Sequence, residues 1–121
     1  MPEIKPVILV VEDDEIIRLA AVDLIERAGF ETVEASSADE AINILEARPD
    51  IHLVFTDVEM PGTMDGIKLA HYIRDRWPPI KLIVASGRTI VEQSSLPEGA
   101  RFFGKPYDEA DLVQSIIQLV A

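Results

Sequence analysis

Short apolar runs alternate five times along this chain with longer stretches in which apolar positions recur every three or four residues. The short runs, Val7–Val11, Thr32–Ala35, Leu53–Thr56, Lys81–Ala85 and Arg101–Gly104, read as β-strands. The first, third and fourth are nearly unbroken in apolar character, which is the pattern of strands buried on both faces of a parallel sheet.

The stretches between them read as amphipathic helices. In the first, Ile16, Ile17, Ala20, Ala21, Leu24, Ile25 and Ala28 repeat at helical spacing, and Gly29 stops it. The second follows the capping pair Ser36-Ser37 and turns Ala38, Ala41, Ile44 and Leu45 inward before Pro49. The third runs from about Asp65 to Trp77 with Ile67, Leu69, Ala70 and Ile73 on its apolar side, and Pro78-Pro79 ends it. The last runs from an Asp108 cap to about Val120, burying Leu112, Val113, Ile116, Ile117 and Val120.

The segment between the fourth and fifth strands is different. Ile90-Val91-Glu92-Gln93 has room for a turn of helix, but Ser94-Ser95-Leu96-Pro97-Glu98-Gly99 breaks it, so a fourth helix there is expected to be short or disordered. Strand–helix alternation of this kind predicts an α/β fold, a doubly wound five-stranded parallel sheet in the order 2-1-3-4-5 with helices on both faces. In such sheets ligands are held at the carboxyl ends of the strands.

Length and composition narrow the field. The 121 residues are expected to form one domain, 1–121, and a 48% hydrophobic content supplies a core without metal or disulfide staples. The absence of cysteine removes disulfides, thiolate catalysis and cysteine zinc sites. No apolar run approaches the roughly 20 residues of a membrane span, and Met1-Pro2-Glu3-Ile4-Lys5-Pro6 lacks the pattern of a secretory signal. A cytoplasmic location is therefore expected. A net charge of −11 with no Lys/Arg cluster argues against direct nucleic-acid binding.

The chemistry-bearing residues fall where strands end. Glu12 and Asp13 follow the first strand, Asp57 the third, Ser86 the fourth and Lys105 the fifth. A parallel sheet in the predicted order brings these positions, spread from 12 to 105, to one rim. Two carboxylates about 4 Å apart repel by ~4 kcal/mol at an effective dielectric near 20, so three together require a cation or a proton. Hard oxygen donors of this kind suit Mg²⁺ or Mn²⁺. Asp57 is placed to act as a carboxylate nucleophile forming an acyl phosphate, with Lys105 sharing the charge of the transferring group and Ser86 donating its hydroxyl to it.

With these residues in hand, the chain resembles the receiver domains of two-component response regulators. The resemblance rests on the ordered set Val10-Val11-Glu12-Asp13, Thr56-Asp57-Val58-Glu59-Met60-Pro61-Gly62, Asp65-Gly66, Ala85-Ser86-Gly87 and Lys105-Pro106, which covers essentially the whole chain. It implies that Asp57 is the phosphoacceptor, that Asp13 binds the metal directly, and that Glu12 acts through metal-bound water. The Asp57 side chain and the Glu59 backbone carbonyl would complete the metal ligands. It further implies Ser86 as the switch hydroxyl, Lys105 as the phosphate-binding lysine, a cis Lys105–Pro106 bond and Phe102 as the rotating aromatic of the switch. Counting from Arg18 puts Glu12 and Asp13, not Asp14, in the acidic positions, leaving Asp14 to the start of the helix. His52 and His71 lack partners at metal spacing and read as surface groups, and Trp77 as packing at a helix end.

The implied partners are a histidine kinase or phosphotransfer protein and a downstream protein target, with a phosphorylation-dependent dimer as a further expectation. With no output domain in the sequence and the last helix running almost to Ala121, a stand-alone regulator or phosphorelay intermediate is favoured over an excised piece of a larger protein. Such a domain is a signalling module that assists its own phosphotransfer and dephosphorylation, not a metabolic enzyme. The loop after Asp57, Met60-Pro61-Gly62-Thr63-Met64-Asp65-Gly66, is one residue longer than the family's usual form, and the Ser86-to-Lys105 spacing is shorter than usual. Glu59 and Arg88 occupy the two positions that modulate acyl-phosphate lifetime, and an ion pair between them over the site would slow hydrolysis. Two rivals stand beside this reading. A phosphatase of the haloacid-dehalogenase type needs a second Asp where this chain has Glu59, and a degenerate receiver would bind partners without phosphorylation.

Overall fold

The computed structural model describes residues 5–62, 64–88 and 90–121. Met1-Pro2-Glu3-Ile4, read above for a secretory signal, and Thr63 of the long loop lie outside the described residues. Five parallel strands, β1 (Val7–Val11), β2 (Glu31–Ala35), β3 (Ile51–Asp57), β4 (Lys81–Ser86) and β5 (Arg101–Gly104), form one sheet in the order β2-β1-β3-β4-β5. This is the predicted order. The two edges are β2 and β5, while β1, β3 and β4 are the apolar runs that the pattern marked for double burial.

Helices α1 (Glu15–Arg27), α2 (Ala38–Ala47), α3 (Gly66–Arg76) and α4 (Glu109–Val120) cover the two faces. On one face Leu9, Val54, Leu82 and Val84 meet Ala41 and Leu45 of α2 and Leu69 and Ile73 of α3. On the other, Ile8, Leu53, Phe55 and Ile83 meet Val22 and Ile25 of α1 and Leu112 and Ile116 of α4. Alternation of side chains along each strand divides the core in this way. Each helix begins on a side chain that satisfies its first free amides: Asp14, Ser37, Asp65 and Asp108 all accept from backbone N–H groups one turn in.

Two helix faces differ from the expectation. In α1, Ala21, Val22 and Ile25 are buried, whereas Ile16 is 81% exposed and Ile17, Leu19 and Ala20 are also exposed. The first half of α1 carries apolar residues around most of its circumference, so spacing alone does not select the inner stripe. In α4, Ile117 is exposed and Leu119 packs against the core instead. The fourth crossover contains, among its described residues, a single 3-10 turn, Gln93–Ser95, in place of a helix. Leu96 and Ala100 are buried and Val91 is half-buried beneath it, so this segment still covers the sheet. Its turn is tied to α3 by His71 Nε2, 2.8 Å from the Ser95 carbonyl. The other histidine, His52, is also at the surface, its Nδ1 accepting from Val7 N–H. Trp77 caps α3 and lies half-buried under the Arg76 guanidinium, 5.3 Å from the ring centroid.

Candidate functional site

Strand register assembles the site. Val11 pairs with Thr56, Asp57 with Ala85 and Ser86 with Gly104, so the residues at and just past these pairs share one rim. The rim continues the sheet's hydrogen bonding beyond the strands: Glu12 N–H donates to the Ala35 carbonyl, Val58 N–H to Ala85 and Lys105 N–H to Ser86. Glu12, Asp57, Ser86 and Lys105 are thereby brought together, and Asp13 joins them from the β1–α1 turn.

Lys105 sits between two of the acids. Its Nζ lies 3.0 Å from Glu12 Oε1 and 2.9 Å from Asp57 Oδ1. Glu12, Asp13 and Asp57 each present a carboxylate oxygen within 4.8 Å of the others. Asp57 Oδ1 has the lysine charge nearby, yet it is buried and receives no aligned hydrogen bond. One cation against three clustered acids leaves negative charge to be balanced. Burial pushes the Asp57 carboxyl above its ordinary value, helped by the Glu59 and Asp13 charges and only partly opposed by Lys105. Burial likewise raises Glu12, against the pull of the Asp14 amide and Lys105. Burial works against the Lys105 charge, but Asp57 and Glu12 overcome it and hold the ammonium above its ordinary value.

All of these donors are hard oxygens, and an under-coordinated buried carboxylate oxygen faces them, so the cluster fits Mg²⁺ or a similar hard divalent cation. Asp14 is not in the cluster. Its Oδ1 accepts from Ile16 and Ile17 N–H at 2.9 and 3.0 Å, which commits the side chain to capping α1. The cleft over the rim has a volume of about 320 Å³ and is walled also by Ile17, Gly87 and Arg88. A larger groove, about 720 Å³, lies at the other end of the sheet where β3 and β4 begin. Its acids Glu46 and Asp50 are already paired with Arg76 and Arg48, so the chemistry belongs to the smaller cleft.

Glu59 reaches across to β4. Its carboxylate accepts from the Ser86 hydroxyl at 2.7 and 2.9 Å and from the Arg88 backbone N–H at 2.9 Å. Glu59 and Arg88 thus meet as expected, but through the amide; among the described residues no ion pair joins Glu59 to the Arg88 guanidinium. Phe102 and Phe103 take opposite faces of β5, both half-buried: Phe102 packs against the side holding α2 and α3, Phe103 against the side holding α1 and α4.

Supporting residues emerge that spacing did not reveal. Arg18, only 16% exposed at its side chain, donates from Nη1 to the Glu12 carbonyl and from Nε to Glu34, each at 2.9 Å, pinning the acidic turn. Tyr107 packs edge-on against Phe55 and Phe103 just after the cis Lys105–Pro106 bond. Gly66 belongs to the recognised motif, but its reason is visible only in three dimensions. A Cβ there would lie 2.0 Å from the Asp57 carbonyl oxygen, and its N–H donates to the Val58 carbonyl at 2.9 Å. No sequence signal short of the full fold marks these contacts.

The profile of the response regulator receiver domain matches residues 8–117. This chain belongs to the receiver-domain family. Among curated receiver proteins, it is similar to the response regulator FleR of Pseudomonas aeruginosa, 37% identical over 94% of this chain and 24% of FleR. It is also similar to the receiver protein CpdR of Brucella abortus, 32% identical over 93% of this chain and 95% of CpdR. The chain thus spans about a quarter of one relative and nearly all of the other. A solved receiver protein from Pseudomonas putida superposes with a TM-score of 0.85 at 30% identity, over 97% of this chain and 99% of that one. Receiver domains interact with histidine kinases and phosphotransfer proteins and bind Mg²⁺ at an acidic site, and the Glu12, Asp13 and Asp57 cluster here could hold a metal ion. Membership in this family leaves no place for a haloacid-dehalogenase-type phosphatase. Among the described residues no helix is long and apolar enough to cross a membrane.

Proposed function

We propose that this receiver domain is a phosphorylation-dependent switch that accepts a phosphoryl group on Asp57 from the phosphohistidine of a kinase or phosphotransfer protein. The observation that carries the reading is the position of the Lys105 ammonium, within 3.0 Å of both Asp57 and Glu12 at the mouth of one cleft. In the transfer, an Asp57 carboxylate oxygen bonds to phosphorus as the phosphorus–nitrogen bond of the phosphohistidine breaks, and the imidazole leaves. Lys105 lies where it shares the negative charge of the transferring group, and the Ser86 hydroxyl supplies a donor to the acquired phosphoryl oxygens.

Mg²⁺, or Mn²⁺, would be held by Asp13, the Asp57 side chain, the Glu59 backbone carbonyl and, through water, Glu12. When bound it neutralises charge that would otherwise repel the donor. Phosphorylation then biases a pre-existing equilibrium of the switch residues Ser86 and Phe102, and altered contacts, including dimerisation, carry the signal to a downstream protein. Arg88 and Glu59 border the path of attacking water and modulate the lifetime of the acyl phosphate. Couplings in such switches are typically about 1–3 kcal/mol. The domain 1–121 acts as a signalling module whose groups assist its own phosphorylation and dephosphorylation, in the cytoplasm where its kinase partner acts.

The test is incubation with Mg²⁺ and acetyl phosphate, read by intact mass. The wild type gains one hydroxylamine-sensitive phosphoryl group, Asp57→Asn gains none, and Lys105→Ala gains it at least about tenfold more slowly. Failure of the wild type to take up the group, or equal uptake by Asp57→Asn, would leave only a binding module.

A further inference from the structure

Ser86 is 3% exposed, and its side chain has a single O–H to give. That proton goes to the Glu59 carboxylate, which can only accept, with the two oxygens 2.7 and 2.9 Å from Oγ. Glu59 is held in place from a second side by the Arg88 N–H, which comes from the residue two beyond Ser86. An anion therefore already occupies the donors at the end of β4. Any phosphoryl group on Asp57 that is to use the Ser86 hydroxyl has to take the same proton from it.

We propose that Glu59 is an internal competitor of the phosphoryl group. Its carboxylate latches the Ser86 hydroxyl in the resting state and is expelled when Asp57 is phosphorylated. This rests on the phosphoacceptor reading of the site and adds a regulator to it. Competition for one proton has a specific energetic form. The phosphoryl group gains its bond to Ser86 only by breaking the bond from Ser86 to Glu59, so the two contributions largely cancel. The latch thus lowers the affinity of the site for a tetrahedral anion and sets a threshold for switching. Once released, Glu59 carries its charge away from a more strongly charged neighbour, and the Arg88 amide is freed in the same step. The device is local to two strand ends and needs no movement of the sheet.

A double-mutant cycle tests it, with beryllofluoride and Mg²⁺ as the phosphoryl probe and amide chemical shifts as the readout of affinity. A hydrogen bond between a neutral and a charged group corresponds to roughly a tenfold factor. Glu59→Ala is therefore expected to bind beryllofluoride about tenfold more tightly than the wild type. In the Ser86→Ala background the same change should alter affinity by no more than about twofold, because there is no proton left to contest. If Glu59→Ala tightens binding equally in both backgrounds, Glu59 acts by charge repulsion alone and the latch is wrong. If it does not tighten binding in the wild-type background, the latch is also wrong.

If no form of the protein binds the probe, the phosphoacceptor reading fails and takes the latch with it. A second measurement needs neither metal nor probe. The Arg88 amide should exchange with solvent at least about tenfold more slowly in the wild type than in Glu59→Ala. Equal rates would mean that the closed latch is not the resting state.

Discussion

Burial raises Asp57 and Glu12 above their ordinary carboxylate values, so the folded protein holds their protons more tightly than the unfolded chain does. For groups raised in this way the stabilising contribution is complete in acid, below the ordinary values of 3.8 and 4.5, and is lost as pH climbs through the raised values. Lys105 is raised as well, so its contribution is full below its ordinary value of 10.5 and persists throughout the neutral range. Without Mg²⁺, Asp57→Asn is therefore expected to be more stable than the wild type at pH 7. Repulsion of about 4 kcal/mol from each close acid, largely offset by the attraction of Lys105, leaves an expected gain on the order of 1–2 kcal/mol. Thermal melts from pH 4 to pH 8 should show this advantage shrinking towards acid. A variant less stable than the wild type at pH 7 would mean that pairing with Lys105 outweighs the burial. At this scale the acids, the hydroxyl and the lysine were legible because strand ends mark them. The destination of each proton was not: the sequence placed Glu59 beside Arg88, but the folded loop hands its carboxylate to Ser86 and an amide instead.

The first helix presents two apolar stripes, and only one is used inside. Ile16, Ile17 and Leu19 remain exposed on α1, and Ile17 also walls the cleft above Asp57. An apolar patch at the mouth of the proposed phosphoacceptor site fits the packing surface of a phosphodonor, since interface anchors combine exposed apolar groups with a polar rim. Ile16→Asp and Leu19→Asp should each slow phosphotransfer from a histidine kinase that labels the wild type by about tenfold. They should leave labelling by acetyl phosphate and the melting temperature unchanged. An equal loss with both donors would assign the patch to the chemistry or the fold, not to a partner. The helices themselves were readable from their caps, since Asp14, Ser37, Asp65 and Asp108 stand where the periodicity begins. The inner stripe of α1 was readable only in part: Ala21 and Ile25 are buried as expected, but Val22 was not singled out, because equally apolar residues of the same helix face solvent. The interrupted fourth crossover was legible from Pro97 and Gly99, and among the described residues it holds one 3-10 turn over a sheet that Leu96 and Ala100 still seal.

For the molecule as a whole, strand order followed from the alternation of elements, and the site followed from strand order. The proposal that its acidic cluster holds a hard divalent cation predicts a global effect. A ligand bound only by the folded state at one hundred times its Kd adds about 2.7 kcal/mol to stability. Mg²⁺ should raise the melting temperature of the wild type accordingly, and Asp13→Asn should abolish most of that rise. Asp14→Ala should keep the rise while lowering baseline stability by about 1 kcal/mol through loss of the α1 cap. The reverse result, loss with Asp14 and retention with Asp13, would overturn the assignment of the two neighbouring acids. Finally, the contact of Gly66 with the Asp57 carbonyl makes the first turn of α3 and the tip of β3 a single rigid piece. A protein that grips α3 therefore holds a landmark of fixed height relative to the Asp57 carboxyl. On the proposed phosphoacceptor reading, displacement on activation is expected on the opposite flank, at β4, β5 and the shortened crossover, where no glycine among the described residues meets backbone as closely as Gly66 does.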